Sequence, residues 1–511
     1  MSPLHGPGEI LPASAAQYGD KVALVTETRT LSFNELDELS TRIASRLWER
    51  GIAPGDRVSI YAGNRWEWVV AYHGALKAGA VVNPINVMLT PEEVHFVLRD
   101  CASSALFASA DKLEAMAGTG QTVEGLKLVV DFDGHGHAAD SFEDLLSAEA
   151  STDFHRPAVL HDSPSTIGYT SGTTGHPKGA VQSQQAVLLN CESTAQMHGR
   201  TQEDVVISAL PAPHVYGNVV INGTLLKGGT VVLMARFDAK DALALVARHR
   251  ATLFEGVPAM YSMMLNDPTV AEADLSSITR STVGGQTIST SVIEAWEKLT
   301  HAPMLELWGM TELAGLGATH WYDKEPVRGS IGVALPGLEL RVADLADPHK
   351  DVEQGQPGEL MARGPMVMLE YFGNPAATAE ALETDGWLHT GDVAIQDEAG
   401  YFFIVDRRKD MIITSGYNIY PAEIERIIAA NPAVAMVAVG SLPDPVKGEI
   451  ACAYVVRREG TDLEAEQVLA YSREHLAAYK VPRKVVFVSS LPQTSTGKIM
   501  RRKLSTFGHE L

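Results

Sequence analysis

The feature that most narrows the folds open to this chain is a repeated alternation of strand signals with helix signals through most of its length. The first clear helix opens at Ser32, where Ser32 and Glu35 have the spacing of a capping box, and runs through Leu36, Leu39, Ile43 and Leu47 to Gly51. A hydroxyl and a carboxylate three residues apart can each satisfy a backbone N–H that the first helical turn leaves unpaired, and apolar residues three or four apart share one face. Residues 56–62 then read as a strand, 66–78 as a helix and 80–84 as a strand, and Thr90-Pro91-Glu92-Glu93 opens another helix, proline being suited to the first turn. Segments 205–210, 229–234 and 252–257 continue the strand series. Strands separated by helices pair in parallel, because the returning helix covers the sheet, so the larger part of the chain is expected to be α/β.

The pattern changes near Gly400. Segments 401–405 and 411–414 read as paired strands joined by the charged turn Asp406-Arg407-Arg408-Lys409-Asp410. A helix over 421–430, strands over 433–439 and 450–456, a helix over 464–477 and a strand over 484–488 follow. A smaller α+β unit is expected to begin at Asp406. A length of 511 residues exceeds what one hydrophobic core usually supports, which agrees with several domains.

Charge excludes whole classes of partner. Lys and Arg number 41 against 63 Asp and Glu, a formal net charge of −22, whereas nucleic acid and anionic membrane surfaces require clustered positive charge. An anionic ligand must therefore be held by local groups. Cys101, Cys191 and Cys452 are odd in number and widely spaced, forming neither a metal-ligand pattern nor a disulfide framework, which fits a reducing, cytoplasmic setting. The N-terminus lacks a basic flank followed by an apolar stretch, and no run of about 18 apolar residues occurs, so a soluble protein with no transmembrane segment and no cleaved signal is expected. The assembly state is open, a homodimer included.

The densest chemical signal is Tyr169-Thr170-Ser171-Gly172-Thr173-Thr174-Gly175-His176-Pro177-Lys178-Gly179. Small residues let the main chain approach an anion, its N–H groups and the hydroxyls donate to phosphate oxygens, and Lys178 adds a point charge. The spacing is not that of a P-loop kinase or GTPase: Pro177 precedes the lysine where a glycine is required, and Gly179 follows it where a hydroxyl is required.

This loop resembles the signature of the adenylate-forming superfamily, which includes acyl-CoA synthetases, luciferases and the adenylation domains of peptide synthetases. The resemblance extends in chain order through Leu210-Pro211-Ala212-Pro213-His214-Val215-Tyr216-Gly217, Ser281-Thr282-Val283-Gly284-Gly285-Gln286 and Glu306-Leu307-Trp308-Gly309-Met310-Thr311-Glu312. It continues through Gly386-Trp387-Leu388-His389-Thr390-Gly391-Asp392, the 405–410 and 415–423 segments, and Pro492-Gln493-Thr494-Ser495-Thr496-Gly497-Lys498. The implied architecture is a large N-terminal domain, 1–405, with α/β sheets and a β-rich subdomain, and a small mobile α+β C-terminal domain, 406–511, hinged at Asp406.

The resemblance also implies roles. Thr170, Ser171, Gly172, Thr173, Thr174 and Lys178 would hold ATP phosphates. Gly285, Gln286, Trp308, Gly309 and Met310 would line the nucleotide, with Trp308 stacking on adenine where the family usually has tyrosine. Thr311 would bond the α-phosphate and Glu312 would ligate Mg2+, while Asp392 and Arg407 would take the ribose. Lys498 would bridge the substrate carboxylate and α-phosphate. His214, Val215, Tyr216, Gly284 and Gly309 would wall the acyl pocket, with gating, carboxylate contact and simple packing all open for His214. Ser415, Gly416 and Tyr417 would pass the pantetheine of coenzyme A. The short pocket stretches contain no arginine or lysine, which favours a monocarboxylate with an apolar body, and Gly223, Gly228 and Gly229 are expected to leave depth for a longer chain. The implied reaction joins a medium- or long-chain fatty acid to coenzyme A through an acyl-AMP. An aryl or cinnamate-type acid, or loading of a carrier protein, remains as an alternative.

Overall fold

The early helices sit where their caps predict. Phe33–Glu49 begins at Ser32 with both halves of the capping box formed, and buries Leu36, Leu39, Ile43 and Leu47. Pro91–Asp100 begins at Thr90 with a second complete capping box, closed by Glu93. Trp66–Lys77 crosses Phe33–Glu49 closely at Gly74, where a Cβ would stand 2.6 Å from Ile43 Cγ2. The computed structural model describes residues 4–138, 140–147, 149–170, 177–414, 417–492, 499–501 and 503–504. No helix among them is long and apolar enough to cross a membrane.

The chain divides into two packed units, one of Met1–Glu339 with Ala362–Leu388, the other of Leu340–Met361 with His389–Leu511. The first holds two sheets. In the eight-stranded sheet the order is Glu370–Tyr371, Lys178–Ser183, Pro164–Thr170, Val81–Pro84, Arg57–Tyr61, Ser103–Ala108, Leu128–Asp131 and Asp140–Ser141. In the nine-stranded sheet the parallel centre runs through Thr230–Leu233, Val205–Ser208, Leu253–Gly256, Arg280–Val283 and Met304–Met310. Ile43, Val70 and Ile221 join Val58 and Ile60 of the first sheet and Leu24 and Val231 of the second in one core, so helices form the layer between the sheets.

The second unit holds most of a four-stranded sheet, ordered Glu339–Ala343, Gly358–Arg363, Leu388–Gln396 and Phe402–Arg407. It also holds a five-stranded sheet built on the long antiparallel pair Val434–Asp444 and Gly448–Arg457. Helices Pro421–Ala429 and Ala465–His475 contribute Ile424, Ile428 and Val468 to the core beneath the latter.

The expected hairpin across Asp406–Asp410 does not form. Phe402–Arg407 pairs with Leu388–Gln396, whereas Ile412–Thr414 pairs with Tyr417–Ile419 and Gly448–Arg457, so the two strands belong to different sheets. Tight hairpins favour positive φ at their central residues, which Arg-Arg-Lys does not supply. Arg408–Asp410 instead makes one 3-10 turn and carries the chain from one sheet to the next.

Candidate active site

Thr170 and Lys178 close the base of a hairpin. Strands Pro164–Thr170 and Lys178–Ser183 are antiparallel, with Thr170 opposite Lys178, and the Thr170 hydroxyl donates to the Lys178 carbonyl at 3.5 Å. Ser171, Gly172, Thr173 and Thr174 lie outside the described residues. Against this base docks the turn Thr311–Leu313, which follows strand Met304–Met310. Gln182 Nε2 donates to the Thr311 carbonyl at 2.8 Å, and a Cβ on Gly168 would stand 2.5 Å from Thr311 Cγ2, so only glycine admits the turn at this separation.

Glu312 is 8% exposed, and its Oε1 accepts the Tyr371 hydroxyl at 2.7 Å. Tyr371 belongs to the edge strand that pairs with Lys178–Ser183, and the Lys178 ammonium lies 5.3 Å from its ring centroid. Burial, then the Glu312 carboxylate, pushes the phenol well above its ordinary range, so it stays a donor. One sheet edge thus gathers an ammonium, a phenol, a carboxylate and a threonine hydroxyl beside the strand ends Thr170 and Lys178. Such a set can take phosphate oxygens and a hard cation together. Tyr371 was not singled out in the sequence. The available signal was the helix start at Asn374-Pro375, which marks a fixed turn but says nothing of the aromatic before it.

Trp308 is 8% exposed and its indole packs where a Cβ on Gly317 would come within 2.3 Å. Gly309 is exposed, and a Cβ there would meet the Gly315 carbonyl at 2.2 Å, which makes glycine obligatory beside strand Gly315–Thr319. Met310 and Thr311 are half-buried. Gly284 is buried against Leu307, while Gly285 turns with φ +85° and is exposed together with Gln286.

Helix Val215–Leu226 starts at His214, which is exposed and whose Nδ1 accepts the Tyr216 N–H at 3.2 Å. Val215 is half-buried and Tyr216 buried. The Tyr216 hydroxyl lies 2.7 Å from Thr282 Oγ1, which donates to Glu255 Oε2 at 3.0 Å, and Glu255 pairs with Arg200 at 2.5 Å in full burial. The glycines expected to leave depth do not. A Cβ on Gly228 would strike the Tyr18 ring at 2.3 Å, one on Gly229 would meet Thr224 Cγ2 at 2.9 Å, and one on Gly223 would face the Cys191 carbonyl at 3.3 Å. Their missing side chains are spent on packing.

In the second unit, Asp392 stands opposite Arg407 in the strand register, and Arg407 Nε lies 2.7 Å from its Oδ1. Asp392 is 3% exposed. Beside it the sequence reading missed Glu359, whose Oε2 lies 3.1 Å from His389 Nδ1 and accepts from Arg408 Nη1 at 2.5 Å, while its Oε1 accepts the Gly391 N–H at 3.3 Å. Burial works to raise this carboxyl, but the His389 hydrogen bond and charge, with Arg408, hold it below the ordinary glutamate range. Asp406 is buried, its carboxylate accepting the N–H groups of Arg407 and Ala422, each at 2.7 Å. Burial raises its pKa. Tyr417 is exposed, its ring centroid 5.0 Å from that of Tyr479. Ser415, Gly416 and Lys498 lie outside the described residues.

The fold and the comparisons that follow define an ATP-dependent, carboxylate-activating enzyme. Residues 11–372 match the family model described as AMP-binding enzyme, and residues 423–498 match that of the AMP-binding enzyme C-terminal domain. The chain is 34% identical over 529 residues to the long-chain-fatty-acid–CoA ligase of Escherichia coli O157:H7, covering 97% of this chain and 93% of that protein. It is 35% identical over 502 residues to the 3-[(3aS,4S,7aS)-7a-methyl-1,5-dioxo-octahydro-1H-inden-4-yl]propanoyl:CoA ligase of Mycobacterium tuberculosis (strain ATCC 25618 / H37Rv), covering 96% and 97%. The crystal structure of ATP-bound MatB from Rhodopseudomonas palustris superposes with a TM-score of 0.90 at 31% identity, covering 98% of this chain and 99% of that one. The chain belongs to the AMP-binding enzyme family, among the carboxylate–CoA ligases that use ATP to form acyl-CoA by way of an acyl-adenylate.

Proposed function

We propose that this enzyme activates a medium- or long-chain fatty acid with magnesium ATP and transfers the acyl group to coenzyme A. The observation that carries the reading is the Lys178–Tyr371–Glu312 chain, in which a cation, a hydrogen-bond donor and a carboxylate stand side by side next to the hydroxyl-rich 170–178 sequence. The acid class is supported by the absence of arginine and lysine from the 214–216 and 284–286 stretches and by relatives named as long-chain-fatty-acid–CoA ligases. The fused-ring acid named for the Mycobacterium relative keeps a ring-bearing acid as the second reading.

A carboxylate does not react usefully with a thiol, because the leaving group would be oxide. Attack on the α-phosphorus expels pyrophosphate and makes a mixed anhydride; the thiol then attacks the acyl carbon and AMP leaves. In this reading the 170–178 loop cradles the phosphates, Thr311 donates to the α-phosphate, Trp308 offers a face to adenine with Gly285, Gln286, Gly309 and Met310 around it, and Asp392 with Arg407 takes the ribose. Glu312 would hold a magnesium ion shared with phosphate oxygens, because a hard cation that keeps several waters is bound by one or two carboxylates together with substrate phosphate. Bound there, the ion would offset phosphate charge. The Lys498 ammonium would stabilise charge building on the phosphoryl oxygens, and Gly416 would pass pantetheine along the backbone. The moving part is 406–511, hinged at Asp406. A cytoplasmic setting is supported by three buried free thiols, and a homodimer is the assembly to check by light scattering.

The test is pyrophosphate release with acetate, octanoate, palmitate, benzoate and ferulate, with and without coenzyme A, with the thioester identified by mass spectrometry. Octanoate or palmitate should give the highest kcat/KM. Preference for benzoate or ferulate would install the second reading, and absence of acid-dependent release would end both.

A further inference from the structure

We propose that Arg501 is a positioning residue for the adenylation half-reaction, fixing the base of the segment that carries Lys498 to the carboxylates around Asp406. The inference rests on the role given to Lys498 above. The Met500 N–H donates to the Pro492 carbonyl at 2.8 Å, which ties together two described residues that flank Lys498 in the sequence. Leu491 before Pro492 and Leu504 after Met500 are buried with Cys452, Tyr454 and Val486.

Arg501 follows Met500 immediately, bonds two carboxylates and faces a third. Its Nη2 donates to Glu425 Oε2 at 2.6 Å and its Nη1 to Asp410 Oδ2 at 3.2 Å, with Asp406 Oδ1 at 4.0 Å from Nη1. These acceptors are themselves fixed by the backbone. Asp406 accepts from Arg407 and Ala422, and Glu425 Oε1 accepts the Val439 N–H at 2.7 Å. The three acids come from the end of strand Phe402–Arg407, which carries Asp406 itself, from the turn after it and from helix Pro421–Ala429 further on.

The physical argument is reach. Three residues of chain span at most about 11 Å, so fixing Arg501 bounds the space that the Lys498 ammonium can sample. A lysine acts on a phosphoryl oxygen as a compact charge on a flexible stem, and its effect depends on arriving within contact distance. A planar guanidinium held by two carboxylates and facing a third is a rigid anchor for that purpose, and a single ammonium is not. If Arg501 only stabilised the unit, its loss would weaken every reaction alike.

The test measures both half-reactions in the full-length enzyme: acid-dependent pyrophosphate release, and thioester formation from supplied acyl-AMP and coenzyme A. Arg501→Ala should lower the first about 10²-fold, the scale of a misplaced catalytic group. The second should stay within about threefold of the parent, and Arg501→Lys should recover part of the loss. Asp410→Asn, which loosens the grip without removing the guanidinium, should show the same split at smaller size and covers the case in which Arg501→Ala does not fold. Equal loss of both half-reactions in folded Arg501→Lys and Asp410→Asn overturns the proposal. Failure of the parent enzyme to release pyrophosphate with any acid would instead overturn the functional reading beneath it, so the two failures are distinguishable.

Discussion

Glu306 shows how one buried acid sets a pH dependence beside the candidate site. It lies two residues before Trp308, is 9% exposed, and burial pushes its carboxyl up to about 7 from 4.5, although Gly329 N–H donates to its Oε2 at 2.9 Å. The folded state therefore keeps a proton that the unfolded state has released between those two values. Its contribution to stability is present below pH 4.5 and is lost as pH rises through about 7. At roughly 1.4 kcal/mol per pH unit of separation, the complete loss is about 3 kcal/mol. Glu306→Gln keeps an acceptor for Gly329 without the charge, so urea unfolding should find it more stable than the parent near pH 8, by on the order of 1 to 3 kcal/mol, and equal to it near pH 5. A constant difference at both pH values would show that Glu306 is ionised throughout. At this scale the sequence is legible where residue types are unusual in density, as in the 169–179 loop and Trp308-Gly309-Met310-Thr311-Glu312. It is silent where a residue works through a partner far along the chain. Tyr371 meets Glu312 across 59 positions and Arg408 meets Glu359 across 49, and nothing local to either pair announces the encounter.

Among elements, the capped helices were readable because their signals are local, Ser32 with Glu35 and Thr90 with Glu93 each closing within one turn. The strand pairs around Asp406 were not, since pairing is decided by partners such as Leu388–Gln396 and Gly448–Arg457 that the segment itself does not encode. The contact between strand Pro164–Thr170 and the Thr311–Leu313 turn is a third case, fixed by one absent side chain. A Cβ on Gly168 would press on Thr311 Cγ2, and threonine, branched at Cβ, cannot swing aside cheaply. The turn itself must move, taking the Gln182 hydrogen bond and Glu312 with it. Gly168→Ala should therefore cost about 1 to 3 kcal/mol of stability and lower adenylation at least about tenfold, with a raised apparent KM for ATP. Coupled pyrophosphate assays across ATP concentration check this. An unchanged KM with only the stability loss would mean that the turn does not serve the nucleotide.

For the molecule as a whole, the order of motifs along the chain conveyed the α/β class with its smaller β-rich part, but not that 340–361 packs with 389–511 across an intervening segment of the other unit. Packed unit and proposed moving part are different objects, and their difference makes the hinge testable. Within the second unit, Arg408 Nη1 donates to Glu359 and its Nη2 to the Leu345 carbonyl at 2.9 Å, so these bonds join residues before Asp406 to a residue after it. Rotation about the Asp406 backbone would have to break them, while the Arg501 grip on Asp410 and Glu425, which lies wholly beyond Asp406, would travel intact. Asp406→Pro fixes φ near −65° and removes the carboxylate that accepts from Arg407 and Ala422; Asp406→Asn alters the carboxylate while leaving the backbone free. If alternation turns on this residue, the proline variant should retain one half-reaction within about tenfold and lose the other by about 10²-fold or more, with overall turnover falling alongside the lost step. The asparagine variant should change both steps by similar, smaller factors. Turnover by Asp406→Pro at the parental rate would move the hinge elsewhere, and an equal loss in both variants would make Asp406 a structural acid and no pivot.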